Sequence, residues 1–274
     1  MRRTQHTKKL DSQAGLTIVE LVVVIVILAV IFPLFAFILS MYKDTYYLND
    51  KVRMDAETTQ AFDYMDDNVR SASAFMATVP SQYSDTYGRN NNGTAGAEAW
   101  SYKGGSATSR VLMTSNYATT ANQLNTGRQP VFINTPAFDC STQMYYQPQL
   151  TYVTIYFVKD KTLYKRILTD TTTLLCSGNV QQQKQTCPPY IAPGSWNAGC
   201  QANDEVLATN VTAFSMAYYR VSQAGVSTQI DASYTSTDPQ ILATADYAMV
   251  TVTKTARNGN VTSSMTQRMT KVNQ

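Results

Sequence analysis

The chain of 274 residues is long enough for a sizeable core and carries 22 Lys and Arg against 19 Asp and Glu, with a single histidine, His6. Arg2, Arg3, Lys8 and Lys9 against Asp11 place the whole net charge of +3 in the first fifteen residues, so the rest is neutral and unsuited to nucleic acid, whose phosphates are bound by clustered cations. With the one histidine in that basic head, the remainder lacks the material for a Ser–His–Asp triad, for histidine acid–base chemistry or for a His-containing zinc site.

The head is followed by an uncharged run of 19 residues, Leu21 to Leu39, long enough to cross the hydrocarbon core of a membrane as a helix. Lys8 and Lys9 precede it, which orients the N-terminus to the cytoplasm and the bulk of the chain outside. A secretory signal peptide is the competing reading, but its apolar region is usually about 7–15 residues and its cleavage site follows that region. Here the stretch is longer and the Ala14–Gly15 pair stands before it. Glu20 sits at the head of this run, and no Lys, Arg or His lies between Leu16 and Tyr42 to pair with it. A carboxylate at membrane depth is costly and calls for a partner. Cleavage after Gly15 would create one, because the new α-amino group of Leu16 is a cation four residues from Glu20, on the same helix face.

The stretch Gly15, Leu16, Thr17, Ile18, Val19, Glu20, Leu21 resembles the class III signal of type IV pilins and related pseudopilins: a basic leader ending in Gly, a hydrophobic first mature residue, and Glu heading a long apolar helix. Leu16 stands where Phe is more usual, and Pro33 falls earlier than the proline of the commonest major pilins. The resemblance implies cleavage between Gly15 and Leu16 by prepilin peptidase, N-methylation of Leu16 by the same enzyme, and Glu20 steering the docking of subunits. It also implies other pilin subunits and an assembly platform as partners, first in the inner membrane and then in a periplasmic or cell-surface filament. Pro33 removes one helix hydrogen bond, which makes either a simple kink or a point where the helix can melt on assembly.

Neither Gly nor Pro occurs between Pro33 and Pro80, and Met41, Leu48, Val52, Ala56, Thr59, Phe62, Val69, Ala72 and Met76 recur at helical spacing. The spacing predicts a helix continuing to about Ala77, a rod of roughly 90 Å at 1.5 Å per residue. It divides into a membrane or filament-core segment over 16–40 and an amphipathic segment over 41–78. The remainder, 79–274, reads as a β-rich head. Residues 81–109 are rich in Gly, Asn and Ser and read as a surface loop. RVLMT (110–114) and PVFIN (130–134) read as short strands, and LTYVTIYFVKDKTLYKRILTD (150–170) as an antiparallel hairpin turning at KDK. EVLATNVTAFSMAYYRVS (205–222) returns to strand character, with Val211, Phe214, Met216 and Tyr218 as inward candidates. The last segment reads as two strands about an Asn258–Gly259 turn. The expected fold is therefore α+β, a long helix packed on antiparallel sheet. The order of these pieces also resembles the larger minor pilins and the J-type pseudopilins of type II secretion.

Cys140, Cys176, Cys187 and Cys200 all lie beyond the apolar helix, and an even count in an exported domain suggests two disulfides. Three connectivities exist; the pairing expected is Cys176–Cys187 with Cys140–Cys200, the first bridge stapling the loop that contains Pro188 and Pro189. The 18 tyrosines and the low charged fraction of 15% suit an extracytoplasmic protein. No metal-ligand spacing, phosphate loop or catalytic carboxylate pair stands out, and Asp66 and Asp67, being adjacent, point to different sides of a helix. Asn92-Gly-Thr, Asn210-Val-Thr and Asn260-Val-Thr match the glycosylation sequon and read as chance in an Asn- and Thr-rich chain. The function expected is structural and non-enzymatic, without a cofactor: a minor pilin or pseudopilin. The alternative is a single-pass anchored binding protein that does not polymerise.

Overall fold

Helix α1 runs unbroken from Ile18 to Arg70 and is followed, among the described residues, by thirteen strands. A computed structural model describes residues 17–83, 85–89, 100–102, 109–117, 137–139, 144–146, 151–169, 185–189, 200–231, 239–256 and 259–272. The chain forms two units, Met1–Asn49 and Asp50–Gln274. In the first, every described residue from Thr17 to Tyr46 is exposed, and the apolar helix is long enough to cross a membrane.

In the second unit α1 turns Met54, Thr58, Ala61, Phe62, Met65 and Val69 inward. This buried face is rotated from the stripe read off the sequence. Phe62 and Val69 belong to both, but Val52, Ala56 and Thr59 are exposed. The large flexible side chains Met54 and Met65 fill the interface on the face that Thr58 and Ala61 share, whereas Ala56 and Thr59 lie beyond its rim. The helix also ends earlier than Ala77. Ser71 Oγ donates to the Asn68 carbonyl (3.0 Å), and Asn116 Nδ2 reaches the same oxygen at 2.8 Å, so the last turn is closed off by side chains. Ala72–Phe75 then becomes strand β1, burying Ala72 and Phe75 and pairing with β2 (Leu112–Tyr117).

The remaining strands are β3 (Ala137–Asp139), β4 (Met144–Tyr146), β5 (Thr151–Lys159), β6 (Thr162–Thr169), β7 (Gln185–Cys187), β8 (Cys200–Asn203), β9 (Glu205–Thr209), β10 (Val211–Val221), β11 (Ser227–Gln229), β12 (Tyr247–Thr255) and β13 (Thr262–Thr270). They form a five-stranded sheet in the order β1-β2-β5-β6-β9 and a four-stranded sheet in the order β11-β10-β12-β13. β3 pairs with β4 antiparallel and β7 with β8 parallel. A long helix with antiparallel sheets is the α+β arrangement expected. PVFIN (130–134) lies outside the described residues.

The hairpin read at 150–170 is present as β5 and β6, in register from Tyr152↔Thr169 to Lys159↔Thr162. Its two-residue turn, Asp160 and Lys161, has both φ angles positive (49° and 59°), the conformation that matches strand twist in tight hairpins. The stretch 205–222 is not one strand. Asn210, at φ 58°, breaks it in two and sends β9 to the five-stranded sheet and β10 to the four-stranded one. Asn tolerates that left-handed backbone better than most residues. Val211, Phe214, Met216 and Tyr218 do all point inward and are buried.

The core joins α1 to both sheets through Phe62, Met65, Phe75, Leu112, Phe157 and Phe214. Tyr218 packs edge-on against Phe75 (ring centroids 5.1 Å) and Tyr102 (5.3 Å). Two polar clamps fix the helix on the four-stranded sheet: Lys254 Nζ donates to Glu57, and Ser263 Oγ donates to Asp55. The Val272 N–H closes the far end on the Arg70 carbonyl at 3.1 Å.

Burial raises the hydroxyl pKa of Tyr156 and Tyr218 well above the ordinary 10.0, and neither hydroxyl has a partner among the described residues. The folded chain keeps both neutral while the unfolded chain releases their protons from about pH 10 upward, so stability is complete below that pH and falls above it. Each tyrosine contributes a loss of about 1.4 kcal/mol per pH unit there. Tyr156→Phe and Tyr218→Phe are expected to flatten the alkaline limb of the unfolding free energy by that amount each. Denaturant titrations on either side of about pH 10 check it, with changes of under about 1 kcal/mol at neutral pH because no hydrogen bond is lost.

Candidate functional site

The sequence singles out the head of α1, and the backbone there shows how Glu20 is held. Thr17 is the N-cap residue, its carbonyl accepting the first helical hydrogen bond from the Leu21 N–H at 3.1 Å. The Thr17 N–H donates to Glu20 Oε2 at 2.9 Å and the Thr17 hydroxyl donates to the same oxygen at 3.0 Å. The Glu20 N–H returns a bond to Thr17 Oγ1 at 3.3 Å. This is a capping box, in which a Thr and the Glu three residues later satisfy each other's backbone donors. Thr17-Ile18-Val19-Glu20 spells that motif in the sequence. Glu20 is thus satisfied locally by two donors, while Gly15 and Leu16, and any pairing with the Leu16 amine, lie outside the described residues.

Beyond Glu20 the helix carries no charge until Lys43. Pro33 sits inside it without interrupting the helix, although the Ala29 carbonyl has no amide donor there. The chemistry available at this site is that of an apolar helix surface exposed on all sides, with one anchored carboxylate in its first turn.

A second polar centre, not foreseen from the sequence, lies inside the head. Arg166 on β6 is wholly buried. Its Nε donates to Asp204 Oδ1 (3.0 Å) and Oδ2 (3.1 Å), and its Nη2 to Asp204 Oδ2 (2.5 Å). Its Nη1 donates to Asp85 Oδ2 at 2.9 Å and to the Gly88 carbonyl. Asp85 also accepts from Trp100 Nε1 (2.7 Å) and from the Tyr87 N–H (3.0 Å). The guanidinium lies 5.5 Å from the Trp100 ring centroid and 5.4 Å from that of Phe157. Burial raises the Asp204 pKa, with Arg166 pulling against it. For Arg166 burial works to lower the pKa, and the two carboxylates more than offset it. Every guanidinium nitrogen is occupied, so the centre ties chain segments together and presents nothing to a ligand. Among the described residues no three His, Cys, Asp or Glu side chains are grouped to hold a metal ion.

The segment read as a surface loop, 81–109, is pinned to the head through its aromatic residues: Tyr83, Tyr87, Trp100 and Tyr102 are all buried. The Tyr102 N–H donates to the Ala77 carbonyl (2.7 Å), and its hydroxyl bonds the Met216 carbonyl (3.2 Å) and Asp231 (3.0 Å). Those aromatics were the available signal.

The disulfide pairing expected is not the one formed. Cys187 is bonded to Cys200, with Cα atoms 5.8 Å apart, so neither Cys176–Cys187 nor Cys140–Cys200 exists. The parallel pairing of β7 with β8 brings Gln185 opposite Cys200 and carries Cys187 into reach. The bridge is buried beside Tyr87. The Asp204 N–H donates to the Cys187 carbonyl at 2.7 Å, joining the bridge to the Arg166 centre. Cys140 and Cys176 lie outside the described residues. Compared with family models and with curated proteins, the chain finds no match in either.

Replacing Arg166 with Met leaves Asp85 and Asp204 buried without a counter-charge, and the expected loss is about 3–5 kcal/mol of head stability by denaturant titration. Adding Asp204→Asn to Arg166→Met should return part of that loss, which would not happen if the guanidinium mattered only for its volume.

Proposed function

We propose that this chain is a low-copy subunit, a minor pilin or pseudopilin, of a type IV pilus-like or type II secretion filament, built in through α1. The observation that carries this reading is a membrane-length apolar helix exposed on every side with a single anchored carboxylate in its first turn. A helix of that kind has to be covered by lipid or by other helices. Prepilin peptidase would cut between Gly15 and Leu16 and methylate the Leu16 amine. Glu20 would then guide docking against a neighbouring subunit's terminus. The chain starts in the inner membrane with a cytoplasmic N-terminus and ends in a periplasmic or surface filament, its partners being other subunits and the assembly platform. It performs no catalysis of its own.

The capping box favours a second reading in one respect. Glu20 already has local donors, so a lone anchored helix needs no second subunit to satisfy it. The anchored binding protein is that reading, and the N-terminus separates the two. Filaments sheared from native cells should yield a peptide beginning at methylated Leu16 by mass spectrometry; an uncleaved chain found only in membranes would leave the anchored protein. Glu20→Ala should be cleaved and folded yet enter filaments at a small fraction of the wild-type level. Thr17→Val, which removes the cap but keeps the carboxylate, should enter near normally. Equal defects in the two would assign Glu20 to capping alone.

A further inference from the structure

Three of the four edges of the two larger sheets are blunted. β1 has four residues and a break in register between Ala72 and Ala74, and β11 has only three residues. β9 has five residues, begins with Glu205, and pairs with β6 through a register shift. β13 differs. It pairs with β12 over nine consecutive residues without irregularity, and no described strand lies on its other side. Its sequence, TSSMTQRMT, has no Pro or Lys and a single charge, Arg268, whose guanidinium is drawn to 3.9 Å from the Tyr247 ring centroid. A long, regular and nearly uncharged edge is the form that natural sheets otherwise avoid, because its free N–H and C=O groups template another strand.

Helix α1 runs beside that edge. It is tied to the start of β13 by Asp55 and Ser263, and to the residue just past its end by Arg70 and Val272. Asp55 marks the β13 rim of the buried helix face. At 100° per residue, Thr59, Val52, Asp63 and Ala56 lie about 40°, 60°, 80° and 100° beyond it, away from the core. All four are exposed. The Thr59 hydroxyl turns back to the Asp55 carbonyl (2.9 Å), which leaves its methyl outward. Asp66 on the same flank is held by Arg70 at 2.7 Å, whereas Asp63 has no ion pair among the described residues. Among the described residues this edge has no partner strand, and the flank that borders it is apolar over Val52, Ala56 and Thr59 and acidic at Asp63, with Arg70 on the same flank held by Asp66.

We propose that β13 takes up an extended strand from another polypeptide, with apolar side chains against Val52, Ala56 and Thr59 and a basic side chain beside Asp63. Backbone pairing would supply the affinity and the flank the choice of sequence, as in other strand-addition complexes. A second copy of this chain fits poorly. Two-fold pairing of β13 with itself would bring two Asp63-bearing flanks together; the inward row Ser263, Met265, Gln267 and Met269 offers no cation to either, and Arg70 on each flank is already held by Asp66.

The test uses the full chain in lipid nanodiscs and two synthetic peptides as long as β13. One carries Val and Lys at alternate positions with Thr between them; the other has the same residues with Pro at every second position. The first is expected to slow amide exchange across residues 262–270 by about tenfold or more and to bind Asp63→Lys several-fold more weakly; the Pro-bearing peptide should do neither. No slowing with the first peptide, equal binding of both, or slowing that grows with protein concentration in the absence of peptide would each overturn the proposal, the last by assigning the edge to self-pairing.

Discussion

Arg166 lies out of water between Asp85 and Asp204, and the groups that hold it come from well-separated stretches of chain. Asp204 follows β8, Asp85 and Gly88 come from the segment after α1 and β1, and Trp100 fixes Asp85 from further along. Taking a guanidinium and two carboxylates out of water is expensive, and their mutual attraction offsets that cost only when each donor and acceptor is placed well. The geometry meets that condition at all three nitrogens. What such a centre contributes is selection among arrangements more than net stability, because a mispositioned loop leaves a charge buried and unpaired. The Cys187–Cys200 bridge belongs to the same construction: Asp204 reaches the Cys187 carbonyl through its own amide, and the Thr186 hydroxyl accepts from the Ile167 N–H next to Arg166. Charge, disulfide and loop aromatics thus hold the five-stranded sheet's outer connections by one connected set of bonds.

The N-terminal unit stands at the opposite extreme. From Leu21 to Leu39 its side chains are Val, Ile, Leu, Phe, Ala and one Pro, and all are exposed. Moving a Val, Leu, Ile or Phe side chain from water into an apolar environment is worth about 1.5–3 kcal/mol, so the stretch as a whole represents tens of kcal/mol of unmet burial. A head with its own packed core and a helix segment that no described residue covers have to be read as parts with different solvents.

Much of this architecture was legible because its signals are local. The β5–β6 hairpin declares itself by alternation and by the KDK turn, and the inward set of β10 by its spacing. The errors share one cause: they depend on what meets the element from elsewhere in the chain. Asn116 and Ser71 stop α1 before Ala77, and β2 converts Ala72–Phe75 into strand. Asn210 splits a stretch of continuous strand propensity because the two halves are wanted in different sheets. Cys187 finds Cys200 because β7 and β8 align in parallel, which no spacing rule foretells. The Arg166 centre could not be read at all, since Asp85, Arg166 and Asp204 lie far apart in sequence and only the fold makes them neighbours. The capping box is the exception: Thr17 and Glu20 stand at the motif's spacing in the sequence, and the answer to the carboxylate is a set of neutral donors rather than a positive charge.

That neutral answer constrains how Glu20 could act in assembly. A carboxylate that enters a bundle already bonded to Thr17 gives up those bonds, or shares them, when it turns to a neighbour's amine. Its contribution to assembly is then the difference between two satisfied states rather than the rescue of an unpaired charge, and a difference of that kind is small beside the burial of the apolar surface from Leu21 to Leu39. Cohesion would come from that surface, which is non-directional and would allow α1 to slide along a neighbouring helix. A single carboxylate meeting a single amine allows one axial position and penalises the others. The physical role open to Glu20 in a filament is therefore to set register between helices that the apolar surface alone would hold together loosely.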